Sequence, residues 1–410
     1  MKALLRYIWK YRMFPRHSLM TTQGESVEIM SNGNERPDIF EDAHLMIDGN
    51  EKRGDIVFAP TIASRNAVLY VTGGDDTAAV PTLRITPTAE TIEAFRAIEA
   101  GARPCDETSA DDIALHYGSY LSRLLAERME EKAARISRLH EVSEKRWEDT
   151  LFRLLARNFG FGLQSDAFEE WGKQLNLAAL GKHRDNILQT EAIFFGQAGL
   201  LEEESIPEYY RKEALASPYF TALRNEYRFL KAKFGLEQMP HTIWAGGTPH
   251  TRIARLAAMY HKGEINLSVI AECATLEALR KLLQTPVGGY WQQHNQFGST
   301  EIRNKETALS SKHLNLLTIN TIIPILYTYG KHRSDTALCN RAEDFLYALP
   351  PEDNSIIRGW AKMGLCAKCA ADTQALIQLK NTYCKKNRCL ECMFTYLRLK
   401  ETMKKRPLNY

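Results

Sequence analysis

The chain has 410 residues, of which 44% are hydrophobic and 25% are charged, and its formal net charge at pH 7 is +3. This composition is typical of a globular protein with two or three domains, and it excludes a disordered chain and a strong polyelectrolyte. The charge is uneven, because the segment 380–410 carries nine Lys or Arg and two acidic residues, a local charge of +7.

The amino terminus does not have the pattern of an export signal. Residues 1–14 are apolar, but four cations interrupt them, whereas a signal peptide needs an unbroken apolar run of about 7–15 residues. No stretch reaches the roughly 18 apolar residues of a membrane helix. We therefore expect a cytoplasmic protein without a membrane partner. Thiols stay reduced there, so clustered cysteines indicate metal rather than disulfides.

Hydrophobic periodicity divides the chain into a sheet-forming part and a helical part. From Ser109 onward, apolar residues recur every three or four positions, and Lys132 is the one polar residue in the apolar face of the first such helix. A further helix is predicted from Ala89 to about Ala100. The β-rich runs, separated by Gly, Asn and Asp turns, are 26–30, 43–47, 55–59, 67–72 and 82–85.

We therefore predict an α+β protein in three parts. Residues 1–105 form a small mixed-sheet domain, residues 106–345 form a helical domain, and residues 346–410 form a C-terminal helical segment with a cysteine cluster. Asp166 and Glu169 have the spacing of a capping box at the start of a helix. The segment Phe195–Gly199 lacks the Gly-Lys-Ser/Thr ending of a phosphate loop and is interpreted as close helix packing.

Five of the eight cysteines lie in the last 45 residues. Cys384-x4-Cys389-x2-Cys392 repeats the ligand spacing of one class of iron–sulfur protein and also suits zinc. Such sites usually need four thiolates, and Cys366 or Cys369 is the expected fourth ligand. The alternative interpretation is that these cysteines are small buried hydrophobic residues on amphipathic helices.

Basic residues surround this cysteine motif, and aromatic residues are interleaved with them. Phosphate contacts require such cations, and Tyr383, Phe394 and Tyr396 would stack on bases. The alternative is a solvated charged face. The candidate nucleic-acid-binding residues are Lys385, Lys386, Arg388, Lys404, Lys405 and Arg406.

Two aspartates in the sheet-forming part have the order found in metal-dependent nucleases. Asp38 precedes one predicted strand and Asp55 opens the next, and paired carboxylates on adjacent strands hold divalent ions. That chemistry usually adds a lysine two residues after the second acid, where this chain has Val57. The alternative is a turn aspartate and a strand-end aspartate without catalytic function.

Several segments together resemble a bacterial family of unknown function, DUF2851. They are Tyr7–Lys10, Ala156–Gly162, Phe194–Leu201, Arg252–Ala257, Asn320–Pro324 and Tyr383–Cys392. The amino-terminal pattern of this family is similar to a PD-(D/E)xK nuclease core with histidine in the lysine place. Under that resemblance Asp38 is kept, but Val57 replaces the glutamate and Ala59 replaces the histidine. The resemblance therefore implies a degenerate nuclease-like domain.

The leading hypothesis is a nucleic-acid-associated protein whose nuclease-like domain is inactive. One alternative is an active metal-dependent phosphodiesterase with Asp55 as its second acid. Another is a helical interaction protein that uses neither metal nor nucleic acid. Zinc or an iron–sulfur cluster is the expected cofactor under the first two hypotheses. Because an activating base is missing from the aspartate pair, we expect no nuclease activity.

Overall fold

The chain divides into two compact units. The sheet unit comprises residues 1–120 and 379–410, and the helical unit comprises residues 121–378. The expected boundaries at 105 and 345 differ from this division, because the last part of the chain packs with the sheet. A computed structural model describes residues 2–13, 19–31, 34–36, 39–58, 67–72, 81–106, 110–244, 247–263, 265–302 and 308–404.

The sheet unit contains a mixed sheet, which confirms the predicted α+β class. Its order is β1-β2-β4-β5-β6-β7, with β3 paired to β4. The pairs up to β4–β5 are antiparallel, whereas β5, β6 and β7 are parallel. The strands are β1 (Leu19–Met20), β2 (Ser26–Ser31), β3 (Asn34–Arg36), β4 (Ile39–Ile47), β5 (Asn50–Phe58), β6 (Ala67–Thr72) and β7 (Thr82–Arg84).

One side of this sheet packs on helices to form the core of the sheet unit. Leu4 and Ile8, one turn apart in the first helix, are buried with the inward-facing residues of β4, and Phe95 and Leu399 complete the cluster. The Trp9 ring stacks on Phe40 with ring centroids 4.3 Å apart. The helices of this unit are α1 (Lys2–Lys10), α2 (Ala89–Glu99), the first part of α3 (Ala110–Val142) and α18 (Met393–Lys404).

The helical unit contains only helices and loops among its described residues. It starts within α3 at Leu121. No helix in the described part of the chain is long and apolar enough to span a membrane. Its other helices are α4 (Trp147–Phe159), α5 (Ser165–Gln174), α6 (Leu177–Lys182), α7 (Ile187–Gln197), α8 (Glu208–Ala216), α9 (Pro218–Phe234), α10 (His250–Lys262), α11 (Leu267–Glu272), α12 (Leu276–Leu283), α13 (Ser311–Leu317), α14 (Ile323–Arg333), α15 (Thr336–Ala348), α16 (Ser355–Lys362) and α17 (Ala370–Gln378).

Helix α7 is packed closely by its neighbours, as predicted for the segment Phe195–Gly199. A Cβ on Gly196 would lie 2.1 Å from the ring of Tyr227 on α9, so this contact requires glycine. The buried Gln197 side chain accepts a hydrogen bond from the backbone N–H of Asn176 and donates to the Glu237 carbonyl. The segment therefore serves helix packing rather than phosphate binding.

The predicted capping box at Asp166 and Glu169 is wrong. Helix α5 begins at Ser165 with Gln164 as its N-cap residue, and no side chain caps it. The Glu169 carboxylate instead forms ion pairs with Arg135 and Arg157. Two nearby guanidinium groups thus take the place of the backbone N–H that a capping box would supply.

Candidate functional site

Two adjoining cavities of about 500 and 250 Å³ form a groove on the helical unit, and their linings share Arg135, Arg138 and Arg157. We call it the arginine groove. Helices α3, α4 and α5 and the start of α14 form its walls, and seven cations against three carboxylates line it. The cations are Arg128, Lys132, Arg135, Arg138, Arg153, Arg157 and Lys173, and the carboxylates are those of Glu131, Asp166 and Glu169.

Two backbone carbonyls that lack helical donors near a proline accept hydrogen bonds from polar side chains at the base of this groove. Pro324 has no N–H, and residues 318–322 form a π-helical segment, so the carbonyls of Ile319 and Asn320 lack their ordinary helical donors. Lys132 Nζ donates to the Ile319 carbonyl at 3.2 Å and to Asn320 Oδ1 at 3.1 Å. Asn158 Nδ2 donates to the Asn320 carbonyl at 2.9 Å. The sequence therefore builds a fixed Lys–Asn–Asn cluster from three distant helices.

The environment of Lys132 brings its titration close to neutral pH. Burial lowers the pKa of its ammonium to about 7, and the charge of Arg128 acts in the same direction. The carboxylates of Glu352 and Glu131 oppose this shift. The charge of this lysine therefore responds to any anion that enters the groove.

The arginines of the groove exceed the carboxylates that are available to pair with them. Arg135 Nη2 lies 3.1 Å from Glu169 Oε2, and Arg157 Nε lies 2.9 Å from the same oxygen. Burial, and then the charge of Arg157, lower the pKa of Arg135. Arg153 Nε is buried and has no hydrogen-bond partner within the described ranges. The groove therefore favours an additional anion.

A strained turn contributes residues to the lining of the groove. Phe161 has φ of 46°, in the left-handed region that a bulky residue rarely adopts. Its ring lies 4.3 Å from the ring of His313, and a Cβ on the neighbouring Gly160 would lie 2.4 Å from the backbone of Ser165. The turn therefore has one tightly defined conformation, which places Gly162 and Ser165 in the groove lining.

Residues 2–59 and 74–355 match the model of a family described as a protein of unknown function, DUF2851. The chain belongs to the DUF2851 family. No curated protein and no solved structure matches it. The matched range includes every residue that lines the arginine groove, so this DUF2851 member has its groove within the family region.

Of the two nuclease-like aspartates of this DUF2851 protein, the structure describes only the second. Asp38 lies outside the described residues. Asp55 is half-buried on β5, and its Oδ1 accepts a hydrogen bond from the backbone N–H of Asp42 at 3.2 Å. Asp42 has φ of 53° in a bulge of β4, between Phe40 and Ala43. Asp55 therefore stabilises this bulge. The nuclease-like site stays a prediction.

The five C-terminal cysteines of the DUF2851 chain fall in different units. Cys366 is exposed and Cys369 half-buried in the helical unit, whereas Cys384, Cys389 and Cys392 belong to the sheet unit. Within the described residues, no three His, Cys, Asp or Glu side chains form a group that could hold a metal ion. The predicted zinc or iron–sulfur cofactor is not tested by this geometry.

The basic C-terminal segment offers fewer available cations than its sequence indicated. Lys385 and Lys386 are exposed, but Arg388 Nε donates to Glu391 Oε1 at 2.9 Å. Tyr383 and Phe394, expected to stack on bases, are buried, with 7% and 2% of their surfaces exposed. Lys404 ends α18, and Lys405 and Arg406 lie outside the described residues.

The sequence patterns did not indicate the arginine groove as a whole, although they singled out one of its residues. Lys132 was the only polar residue in an apolar helical face, and such a residue needs a buried partner. The partners, Asn158 and Asn320, lie in the segments Ala156–Gly162 and Asn320–Pro324 that carried the family resemblance. The polar Lys132 in an apolar helical face and the two family segments together indicate this groove.

A second buried polar cluster in the helical unit contains Glu191. Tyr219 Oη donates to Glu191 Oε2 at 2.8 Å, and Trp291 Nε1 donates to Tyr219 Oη at 2.7 Å. Burial raises the pKa of Glu191 to about 7, although the hydrogen bonds from Tyr219 and Trp291 oppose the shift. Aromatic rings surround this carboxyl group, and we interpret it as a structural group.

Glu191→Gln is expected to stabilise the helical unit above pH 7 by about 2–3 kcal/mol. The pKa of Glu191 is higher in the folded state than its ordinary value of 4.5. The contribution of protonated Glu191 to wild-type stability is therefore complete below pH 4.5 and is lost as pH rises through 7. Glutamine keeps the acceptor for Tyr219 without this pH dependence. Urea unfolding at pH 5 and pH 8 tests this, with the exposed Glu204→Gln as control. An equal stability difference at both pH values would contradict it.

Proposed function

We propose that this protein binds the phosphate backbone of single-stranded nucleic acid in the arginine groove, without cleaving it. The observation that carries the proposal is the excess of cations over carboxylates along one groove, with Arg138 exposed and Arg153 Nε lacking a hydrogen-bond partner in the described part of the chain. Phosphate contacts from Arg and Lys supply most of the affinity of non-specific nucleic-acid binding.

The length of the groove supports a polymeric anion. Arg128, Lys132, Arg135 and Arg138 follow one another along α3 at steps of three or four residues. At 1.5 Å per residue, the helix rises about 15 Å from the first to the last of them. A lone phosphate reaches only two or three of these cations, whereas a strand of several nucleotides can reach all four.

The walls of the groove favour a single strand over a duplex, because they are packed helices. The axes of packed helices are typically about 8–10 Å apart, which is less than the diameter of a double helix. Binding of this kind contacts the backbone and shows little base specificity.

Under this proposal the sheet unit is a degenerate nuclease-like domain that does not catalyse hydrolysis. Val57 is completely buried on β5, where a nuclease would require a polar catalytic residue. The Asp55 carboxylate is engaged by the Asp42 backbone N–H. A carboxylate without an activating base leaves the attacking water unassisted.

Replacing two groove arginines should weaken binding and reduce its salt dependence. We expect the double variant Arg138→Gln/Arg153→Gln to lower the magnitude of the log–log salt slope by about 1.4, since each phosphate contact to a single strand contributes about 0.7. The measurement is fluorescence anisotropy with a labelled single-stranded oligonucleotide over a salt series.

The control is a charge-matched pair on the basic C-terminal segment, Lys385→Gln/Lys386→Gln, which should leave the slope nearly unchanged. A duplex of the same sequence is measured in parallel. The groove proposal fails if the wild type does not bind at micromolar concentration, if the control pair carries the loss, or if the duplex binds more tightly than the single strand. Magnesium-dependent cleavage would contradict the non-catalytic part.

A further inference from the structure

Lys132 in the arginine groove is held by neutral oxygens rather than by carboxylates. It lies on α3, is half-buried, and lines the larger of the two cavities. Its Nζ donates to the Ile319 carbonyl at 3.2 Å and to Asn320 Oδ1 at 3.1 Å. Within the described ranges, no carboxylate forms an ion pair with it. The protein therefore fixes the position of this amine without a direct counter-charge.

Other lysines of the helical unit are held differently. Lys173 Nζ lies 2.7 Å from Glu170 Oε1, and Lys331 Nζ forms an ion pair with Glu130. A carboxylate in direct contact favours the charged form of an amine. For Lys132, burial and then the like charge of Arg128 disfavour the ammonium and lower its pKa to about 7. A large fraction of Lys132 is therefore the neutral, nucleophilic amine at neutral pH.

The two acceptors also orient the neutral amine. Such an amine has two N–H bonds and one lone pair, and the oxygens of Ile319 and Asn320 match the two N–H bonds. The lone pair is then directed away from both oxygens. Asn158 holds the same segment in place, because its Nδ2 donates to the Asn320 carbonyl at 2.9 Å. A carbonyl carbon that enters the cavity can therefore meet an amine of fixed position.

The cations around Lys132 favour a phosphate next to the electrophile. Arg128, Arg135 and Arg157 line the same cavity. Arg135 and Arg157 share one oxygen of Glu169, although each guanidinium has five N–H donors. Arginine donors match the geometry of phosphate oxygens. The cavity of about 500 Å³ is within the size range of small-molecule sites.

We propose that Lys132 is a nucleophile that forms a reversible imine with an aldehyde next to a phosphate group. The lone pair of Nζ attacks the aldehyde carbon, so that a C–N bond forms and the π electron pair of the C=O bond moves to oxygen. This oxygen takes the two protons that the nitrogen loses and leaves as water while the C=N bond forms. The step needs neither an oxidant nor a reductant, and water reverses it.

Two kinds of molecule carry this chemistry. A single strand of DNA that has lost one base exposes the open-chain aldehyde of its deoxyribose between two phosphates. A small phosphorylated aldehyde carries the same two groups without a strand. For the strand, the inference rests on the proposed function, because the strand must first bind in the arginine groove. Lys132 would then retain strands with a missing base longer than intact strands.

The test is reductive trapping on the full-length protein at pH 7. The probes are a single-stranded oligonucleotide with one abasic site and glyceraldehyde 3-phosphate, each with sodium cyanoborohydride, which reduces an imine to a stable secondary amine. Peptide mass spectrometry of the wild type should show Lys132 modified about tenfold more than any other lysine by at least one probe. Modification by the abasic strand identifies nucleic acid as the source, whereas modification by the phosphorylated aldehyde alone identifies a small molecule.

Three controls accompany this test. An oligonucleotide with a tetrahydrofuran at the abasic position has no aldehyde and should not be trapped. Lys331→Arg removes an amine that does not line the groove and should be trapped as the wild type is. Lys132→Arg keeps the positive charge but lacks the amine, so trapping should fall by about tenfold or more. Because the modified residue is located in the wild type, the result does not depend on the folding of a variant.

Modification spread evenly over the lysines, or none on Lys132 with either probe, would overturn the inference. Anisotropy with the intact oligonucleotide separates this failure from that of the proposed function. If the intact strand binds in the groove and Lys132 stays unmodified, the imine inference fails and the groove proposal stands. If the intact strand does not bind and the phosphorylated aldehyde still modifies Lys132, the groove proposal fails and the imine inference stands with a small molecule as its ligand.

Discussion

Gly196→Ala is expected to destabilise the helical unit by about 4 kcal/mol, in the range of severe packing errors. The added methyl group would lie 2.1 Å from the Tyr227 ring, far inside van der Waals contact. Tyr227 is 97% buried, with only 3% of its surface exposed, so its ring has no room to withdraw. Helix α7 would have to move away from α9, and both carry buried core residues.

Gly359→Ala is the matched control for this substitution. Gly359 is exposed on α16, and a Cβ there meets no atom within 4 Å. Alanine is the better helix former, so we expect a gain of up to about 1 kcal/mol. Urea unfolding followed by tryptophan fluorescence gives both values.

A double-mutant cycle with Tyr227→Ala assigns the cause. If the ring is the obstacle, adding Gly196→Ala to Tyr227→Ala should cost less than about 1 kcal/mol, because the methyl group then occupies vacated space. A loss of the full 4 kcal/mol in both backgrounds would show that the helical backbone, rather than the ring, excludes the side chain.

Local patterns were sufficient to predict most of the elements. The run Ala67–Thr72 is a strand with these bounds, and the predicted helix at Ala89 ends at Glu99. The alternation of apolar and polar residues and the turn residues involve only a few neighbouring positions, so both can be recognised in the sequence. The start of β4 was placed late, at Ala43 instead of Ile39, because the Asp42 bulge interrupts the alternation.

The candidate sites could be predicted only in part, because the fold assembles each of them from distant residues. Cys384, Cys389 and Cys392 were recognisable as a spaced motif, whereas the placement of Cys366 and Cys369 in the other unit depends on the fold. Lys132 was recognisable as the one polar residue in an apolar helical face. Its partner carbonyl at Ile319 depends on a π-helical segment that no spacing rule indicated.

Oligonucleotide binding in the arginine groove is expected to weaken as pH rises above 7. The pKa of Lys132 is about 7 without ligand, and a phosphate beside its Nζ would raise it toward the ordinary value. Binding then takes up a proton above pH 7, so affinity should fall by up to tenfold per pH unit, and by at most about 50-fold between pH 7 and 9, because half of the lysine is already uncharged at pH 7. Below pH 6 the lysine is charged with or without ligand, and affinity should be constant.

Lys132 is the group to which this dependence is assigned, because no histidine lines the described groove. The charged groups that interact with Lys132 include Arg128, Glu131 and Glu352, and the two carboxylates favour its charged form. Lys132→Met should bind weakly at every pH without the slope. Lys132→Arg should bind without the slope as well, because arginine keeps its charge throughout this range.

The matched control is Lys173→Met, which removes one cation from the groove at a more exposed position. Lys173 Nζ lies 2.7 Å from Glu170 Oε1, and nearly half of its side chain is exposed. Its loss should lower affinity slightly and leave the pH slope intact. Anisotropy titrations of wild type and the three variants between pH 6 and 9 at constant ionic strength decide between these outcomes. A slope that persists in Lys132→Met, or that is absent from the wild type, would remove Lys132 from the binding site. A slope that disappears only with Lys132 would place the phosphate beside its ammonium group.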